Sequence, residues 1–338
     1  MASNPAVKPA AYTTEAGDTS VPRAVQTHEK YERLIAQATS IPAVATAVVW
    51  PCEKHALAGA VDAANEKIIA PILVGSAARI RAAAQKAGLD IGRFAIVDSE
   101  TEEEAAAAAV RLVRDGKAHG LMKGSLHTDV LMHEVVAKDG GLRTGRRISH
   151  VFVLDVPTYP DALFVTDAAI NIFPDLETKR DIVQNAIDLH VGLGLGEPRV
   201  AILSAVEVIN PKIPGTTDAA SLCKMAERGQ ITGGILDGPL AMDNAINAEA
   251  AAIKGIHSPV AGRAQILVVP DLEAGNMLAK NMIFLGQADA AGIVLGAAVP
   301  IILTSRADSV RTRIASIAIG ALYANHLAEQ RRQAGSRA

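Results

Sequence analysis

Cysteine is nearly missing from this chain of 338 residues: Cys52 and Cys223 are the two present, far apart and outside any CxxC spacing. That excludes a disulfide framework and a thiolate zinc site, and it makes a reducing compartment, the cytoplasm, the expected location. Aromatic residues are only 3% of the chain. Core volume must therefore come from aliphatic side chains and alanine, which favour helices and close helix-to-sheet packing. Charge of one sign is also not in excess, since 33 Lys and Arg stand against 36 Asp and Glu. A nucleic-acid partner would need a basic surplus, so none is expected. No run reaches the roughly 20 apolar residues that span a bilayer, and residues 1–27 lack the charged-then-apolar order of a signal peptide. The nine histidines form no HxxxH or HExxH pattern and no carboxylate cluster at ligand spacing, so no metal is expected.

What is present is core-forming material: 49% of residues are hydrophobic. A single core rarely grows past roughly 250–300 residues, so two lobes with a cleft between them are expected. Residues 1–27, rich in Ala, Thr and Pro, read as a loose tail. From Glu29 onward, short apolar runs alternate with amphipathic or alanine-rich stretches, the pattern of an α/β protein with strands covered by helices. Candidate strands are 43–50, 72–75, 94–97, 120–122, 151–156, 163–165, 200–203, 234–236, 266–269, 292–295 and 301–303. Thr101 followed by Glu102, Glu103 and Glu104 marks a helix start, with a hydroxyl to cap the first amides and acids to complement the dipole. The KDGGLRTGRR segment at 138–147 breaks the alternation and reads as a lobe boundary, and a second boundary falls near 296–300. The first domain then comprises 28–147 and 297–332, and the second 148–296.

Polar groups gather where strands end. The predicted strand 120–122 runs into Lys123, Gly124 and Ser125, with Thr128 and Asp129 opening the next helix. Free amides, a hydroxyl and a cation at a helix N-terminus suit a phosphate, although GLMKGS lacks the P-loop order. After strand 301–303, Thr304, Ser305, Arg306 and Asp308 repeat the arrangement at the mouth of the C-terminal helix. Arginine there offers a fork for phosphate or carboxylate, while Ser305 and Asp308 also fit a helix cap. Asn276 and Lys280 stand at i and i+4 and share a helix face that could hold an anion or a carbonyl. Ligands of open α/β sheets bind beyond the carboxyl ends of strands, so one cleft could collect these groups. Gly192, Gly194 and Gly196 precede a strand instead of following one and read as a helix end and turn, not a dinucleotide loop. Asp237, Gly238 and Pro239 read as a polar turn after a strand. Cys52 reads as a small buried hydrophobe, not a nucleophile.

The ordered series LMKG at 121–124, ISHV at 148–151, DAAIN at 167–171, LDGPL at 236–240, VPDLEAGNMLAK at 269–280 and PIILTSRAD at 300–308 resembles the phosphate acetyltransferase and phosphate butyryltransferase family. The resemblance covers nearly the whole chain after residue 28. It implies reversible transfer of a short acyl group between coenzyme A and orthophosphate, with acyl-CoA as substrate and no bound cofactor. The implied fold is two-lobed and three-layered, with parallel or mixed sheets, similar to the isocitrate and isopropylmalate dehydrogenases. The family's usual state is a homodimer.

Residue by residue, the resemblance places the catalytic serine and arginine at Ser305 and Arg306, beside Thr304. It puts the acyl-phosphate pocket around Lys123, Gly124, Ser125, Thr128, Asn276 and Lys280, with a further arginine within 143–147, taken as Arg147. Acetyl-type members carry an aspartate seven residues after the serine as base for the thiol, where this chain has Thr312. Asp308 is the carboxylate offered instead. Two other readings share this pattern: a metal-dependent β-decarboxylating dehydrogenase on the same fold, and a non-catalytic acyl-CoA or phosphate sensor.

Overall fold

The computed structural model describes residues 29–303 and 309–335. The tail, and the site candidates Thr304, Ser305, Arg306 and Asp308, lie outside the described residues. The first stretch runs α1 (Glu29–Thr39), β1 (Val44–Val49), α2 (Lys54–Asn65), β2 (Ile69–Val74), α3 (Ala77–Ala87), β3 (Ala95–Val97), α4 (Glu102–Arg114), β4 (Gly120–Lys123) and α5 (Thr128–Val136). It continues through β5 (Ser149–Asp155), β6 (Leu163–Thr166), α6 (Leu176–Gly192), β7 (Arg199–Leu203), α7 (Pro214–Glu227), β8 (Ile235–Leu240), α8 (Met242–Ile246), α9 (Ala248–Ile253) and β9 (Ile266–Val268). It ends with α10 (Leu272–Phe284), β10 (Asp289–Leu295), β11 (Ile301–Leu303) and α11 (Val310–Gly335). Every apolar run read as a strand is one.

The strands form one 11-stranded sheet in the order β3-β2-β1-β4-β11-β10-β5-β6-β9-β7-β8. Two parallel wings meet at an antiparallel centre, where β10 pairs with both β11 and β5 and β5 pairs with β6. The sheets expected of two lobes are thus joined edge to edge. β1 and β6 are buried on both faces, as parallel strands covered by helices must be. Along one face α11 is buried from Thr312 to Ala324, packed with aliphatic side chains from α1, α2 and α6. On the other face α4 and α5 cover the β1–β4 wing.

Local chemistry accounts for the element ends. Thr101 Oγ1 accepts from the Glu104 amide at 3.2 Å, and the Glu104 carboxylate accepts from the Glu100 amide at 2.9 Å, so α4 starts as its sequence implies. α6 ends at Gly192, and Gly194 takes a φ of 72° in the turn that follows. The reading of Asp237, Gly238 and Pro239 as a turn is corrected: all three belong to β8. β8 is an edge strand, where a proline lacking its N–H breaks no ladder bond on the open side.

Candidate active site

The carboxyl end of β4 opens into a cavity of about 560 Å³ that is also walled by β5, β10, β11 and the starts of α2 and α5. Lys123, Gly124, Ser125 and Thr128 all line it, as their position at a strand end predicts. Their hydrogen bonds differ from the expectation of free amides. The Gly124 amide donates to the Val49 carbonyl at 2.8 Å, and the Ser125 amide and hydroxyl each donate to the Trp50 carbonyl at 2.9 Å. The glycine serves this backbone contact: a Cβ at 124 would lie 2.6 Å from the Trp50 oxygen. Lys123 Nζ donates to the Leu126 carbonyl at 2.9 Å and the Gly124 carbonyl at 3.2 Å, which holds its charge at the loop.

What remains to face an anion is the N-terminus of α5. His127 is its N-cap residue and supplies no side-chain cap. First-turn amides, the helix dipole, the Lys123 ammonium and the Ser125 oxygen therefore converge on one wall. Arg313 of α11, 5% exposed, also lines the cavity, and its Nη1 donates to the His55 carbonyl at 3.1 Å. Gly59 makes room for it, since a Cβ there would fall 2.5 Å from Arg313 Cδ.

The remaining wall is mostly apolar: Phe152, Ala290, Gly292 and Leu303, with His150 among them. His150 is 2% exposed and stacks edge-on against Phe152, with ring centroids 4.4 Å apart. Burial lowers its pKa to about 4, against the opposing pull of the Asp167 carboxylate, so the ring is neutral. Asp167 is itself tied into a turn. Its carboxylate accepts from the Ala169, Ile170 and Asn171 amides at 2.9, 3.1 and 3.2 Å and from Asn171 Nδ2 at 2.6 Å. This turn brings Ala169 to the cavity edge.

Other candidates sit outside the lining. Asn276 braces the same turn, with Nδ2 donating to the Ala168 carbonyl at 3.3 Å, and Lys280 is exposed further along α10. Arg147 is exposed too, its amide held by Asp181 at 2.9 Å and its carbonyl by Asn185 at 3.0 Å. Arg146 pairs with Asp188. Of the four candidates in segment 304–308 nothing further is described, but the flanking Leu303 and Arg313 both line the cavity. At the start of α11, Ser309 Oγ accepts from the Thr312 amide at 3.0 Å, while the cap read for Ser305 and Asp308 lies outside the described residues. Cys52 is half-buried beside the core, and burial pushes its thiol pKa up, which is no setting for a nucleophile.

Sequence reasoning missed His150, Arg313, Glu53, His55 and His127, all of which line the cavity. A signal existed for two of them. His150 adjoins the apolar run of β5 at its start, and Arg313 is a charged residue in the apolar stretch of α11 that is buried from Thr312 to Ala324. A larger groove of about 720 Å³ between α8 and α10 is lined mainly by apolar side chains such as Met242, Met277 and Met282. It offers an anion no cation.

An α/β protein with cations and an uncapped helix start at strand ends is built to hold an anionic substrate. Residues 102–321 match the family described as "Phosphate acetyl/butaryl transferase". The chain is 68% identical to a phosphate acetyltransferase of Rhizobium meliloti over 87% of this chain and 93% of that protein. It is 44% identical to a phosphate butyryltransferase of Clostridium acetobutylicum over 78% of this chain and 88% of the relative. A branched-chain phosphotransacylase from Enterococcus faecalis V583 superposes with a TM-score of 0.72 at 30% identity, covering 83% of this chain and 99% of that one. A 4-hydroxythreonine-4-phosphate dehydrogenase from Burkholderia phymatum, 14% identical, reaches 0.51 over 84% of this chain and 98% of that one, a likeness of dehydrogenase-type fold alone. The chain belongs to the phosphate acetyl/butyryl transferase family and is an acyltransferase.

Proposed function

We propose that the protein moves an acetyl group reversibly between acetyl-CoA and orthophosphate, releasing acetyl phosphate and coenzyme A. One arrangement carries this reading: a single cavity lined by Lys123, Ser125, the uncapped start of α5 and Arg313 together with a group of small and apolar side chains. Phosphate oxygens suit the polar and cationic groups, and a short acyl chain suits the apolar ones. The Rhizobium relative favours acetyl over butyryl. Ser305 and Arg306, with Thr304 and Asp308 beside them, are proposed to act on the carbonyl and the phosphate, supported by the position of Leu303 and Arg313 at the cavity. Asn276 and Arg147 are proposed to support the site from behind, and Lys280 to attract the anionic part of coenzyme A at the surface.

Two lobes are part of the proposal. Strands from 28–147 and 297–332 form one wing of the sheet and those from 148–296 form the other, with the cavity where they join. A homodimer is supported by exposed apolar side chains on and near α10, among them Phe173, Met277, Phe284 and Leu285. No described helix is long and apolar enough to cross a membrane, and the cysteine usage favours the cytoplasm. Neither a cofactor nor a metal is proposed. The test is phosphate-dependent release of free thiol from acetyl-CoA and butyryl-CoA in parallel, with a chelator present. Faster release from acetyl-CoA is expected. Faster release from butyryl-CoA would correct the chain length, and none from either, despite coenzyme A binding, would replace the enzyme with a sensor.

A further inference from the structure

We propose that His150 donates a hydrogen bond from Nε2 to the carbonyl oxygen of the acyl group in transfer, as a neutral donor beside the apolar side chains of the cavity. The inference rests on the acyl-transfer reading and adds a residue to it.

Four observations carry it. The imidazole is almost fully buried yet lines the cavity. Its Nδ1 is sealed from solvent and has no hydrogen-bond partner among the described residues. A buried N–H without an acceptor is rarer than an unused lone pair, so the proton belongs on Nε2. Nε2 looks toward Gly292, where a Cβ would sit only 3.0 Å away. The missing side chain at 292, another lining residue, leaves the path from ring to cavity open. Finally, the ring shares the cavity with Phe152, Ala290 and Leu303 of the central strands, while the cations Lys123 and Arg313 come from the end of β4 and from α11. A phosphate belongs with those cations, and the acyl carbonyl beside the apolar side chains.

The chemistry suits a neutral donor. Coenzyme A attacks as its thiolate, the thiol proton having gone to solvent, and a sulfur–carbon bond forms at the acyl phosphate carbonyl. The π pair moves onto the carbonyl oxygen, where Nε2–H meets it. When that pair returns, the bond from carbon to the phosphate oxygen breaks and its electrons leave with phosphate. No proton passes to or from His150. A ring with its pKa near 4 stays uncharged throughout and stabilises the oxyanion by geometry alone.

The experiment compares His150→Phe, which keeps the ring volume and removes the donor, with His150→Gln, whose amide can donate. His150→Phe is expected to lose about a hundredfold in kcat, with KM for coenzyme A changed less than threefold. His150→Gln should recover at least a tenth of wild-type kcat. A His150→Phe enzyme within threefold of wild type, or a His150→Gln enzyme no better than His150→Phe, overturns the proposal. A second measurement needs no variant. In ¹⁵N-histidine-labelled wild-type protein, the His150 signals should show the Nε2–H tautomer, and acetyl phosphate should shift Nε2 while orthophosphate leaves it unmoved. An Nδ1–H tautomer, or equal response to the two ligands, overturns the proposal as well. Wild-type protein without thiol release would instead defeat the acyl-transfer reading, a result separate from either of these.

Discussion

The Thr312 hydroxyl donates a 3.0 Å hydrogen bond to Oδ1 of Asp289. The same hydroxyl accepts from Ser309 Oγ at 2.9 Å, so the first turn of α11 is fastened to the start of β10. The resemblance places an aspartate at this position in acetyl-type members; here a carboxylate reaches the spot from the neighbouring strand. Thr312→Asp would set two carboxylates against each other at a site only 5% exposed. One of the two would then have its pKa raised. A raised folded pKa makes the folded state bind more protons than the unfolded, so stability returns as pH falls through it. Urea unfolding should show a loss of about 1–3 kcal/mol at pH 8 that shrinks by pH 5. Equal stability of variant and wild type at pH 8 would show that the Asp289 contact does not constrain this turn.

Gly124→Ala tests whether the strand-end loop is held by backbone contact. Its Cβ would press into the carbonyl oxygens of Val49 and Trp50, neither of which can swing away as a flexible side chain could. The Gly124 and Ser125 amide bonds to those carbonyls would open together. Overpacking of this kind costs about 1–3 kcal/mol, and the lining of the cavity should shift with it. Thermal melting and thiol release should both fall. A variant that melts like wild type would mean that the loop yields without cost.

Lys123→Met removes the ammonium and keeps the stem. Lys123 Nζ is anchored to two carbonyls of its own loop, so its charge is positioned before any ligand arrives. The expected outcome is at least a tenfold loss in kcat/KM for phosphate, with a smaller effect on coenzyme A affinity. Initial-rate kinetics with each substrate varied in turn would read the difference. An unchanged phosphate KM would move the anion from Lys123 to Arg313.

The legibility of this chain follows from which interactions are local. Apolar runs such as 44–49 and 199–203 sit between polar breaks, so strand positions could be read directly. Lys123 and Thr128 were found because strand end and helix start adjoin in sequence. Pro239 misled because only sheet order shows β8 to be an edge. The use of Gly124 misled for a related reason: Val49 and Trp50, which press on it, come from another strand. His150 and Arg313 escaped because they reach the cavity from elements that sequence periodicity assigns to the core. Asn276 and Lys280 do share a helix face, yet Asn276 binds the turn behind the cavity and Lys280, one turn further on, is exposed, a difference of position along α10 that spacing alone does not carry.

Two histidines set a pH dependence of stability. His150 has its pKa lowered to about 4 by burial, opposed by Asp167, and His190 is lowered by burial as well, with its Nδ1 2.9 Å from the Gly196 carbonyl oxygen. Charged groups that also line the cavity beside His150 are Lys123, Arg313 and Glu53. Unfolded histidine titrates near about 6.5, so below that pH the unfolded chain takes up protons that the folded rings refuse, for His150 down to about 4. Stability from these rings is therefore complete above the unfolded value and is lost as pH falls, by up to about 1.4 kcal/mol per pH unit for each ring. Urea midpoints at pH 7.0, 6.0 and 5.0 should descend in that order, over a range where most carboxylates remain ionised. His150→Phe should flatten the descent by up to the contribution of one ring, leaving the His190 share. A slope unchanged by that substitution would mean that His150 takes up its proton in the folded protein as readily as in the unfolded chain.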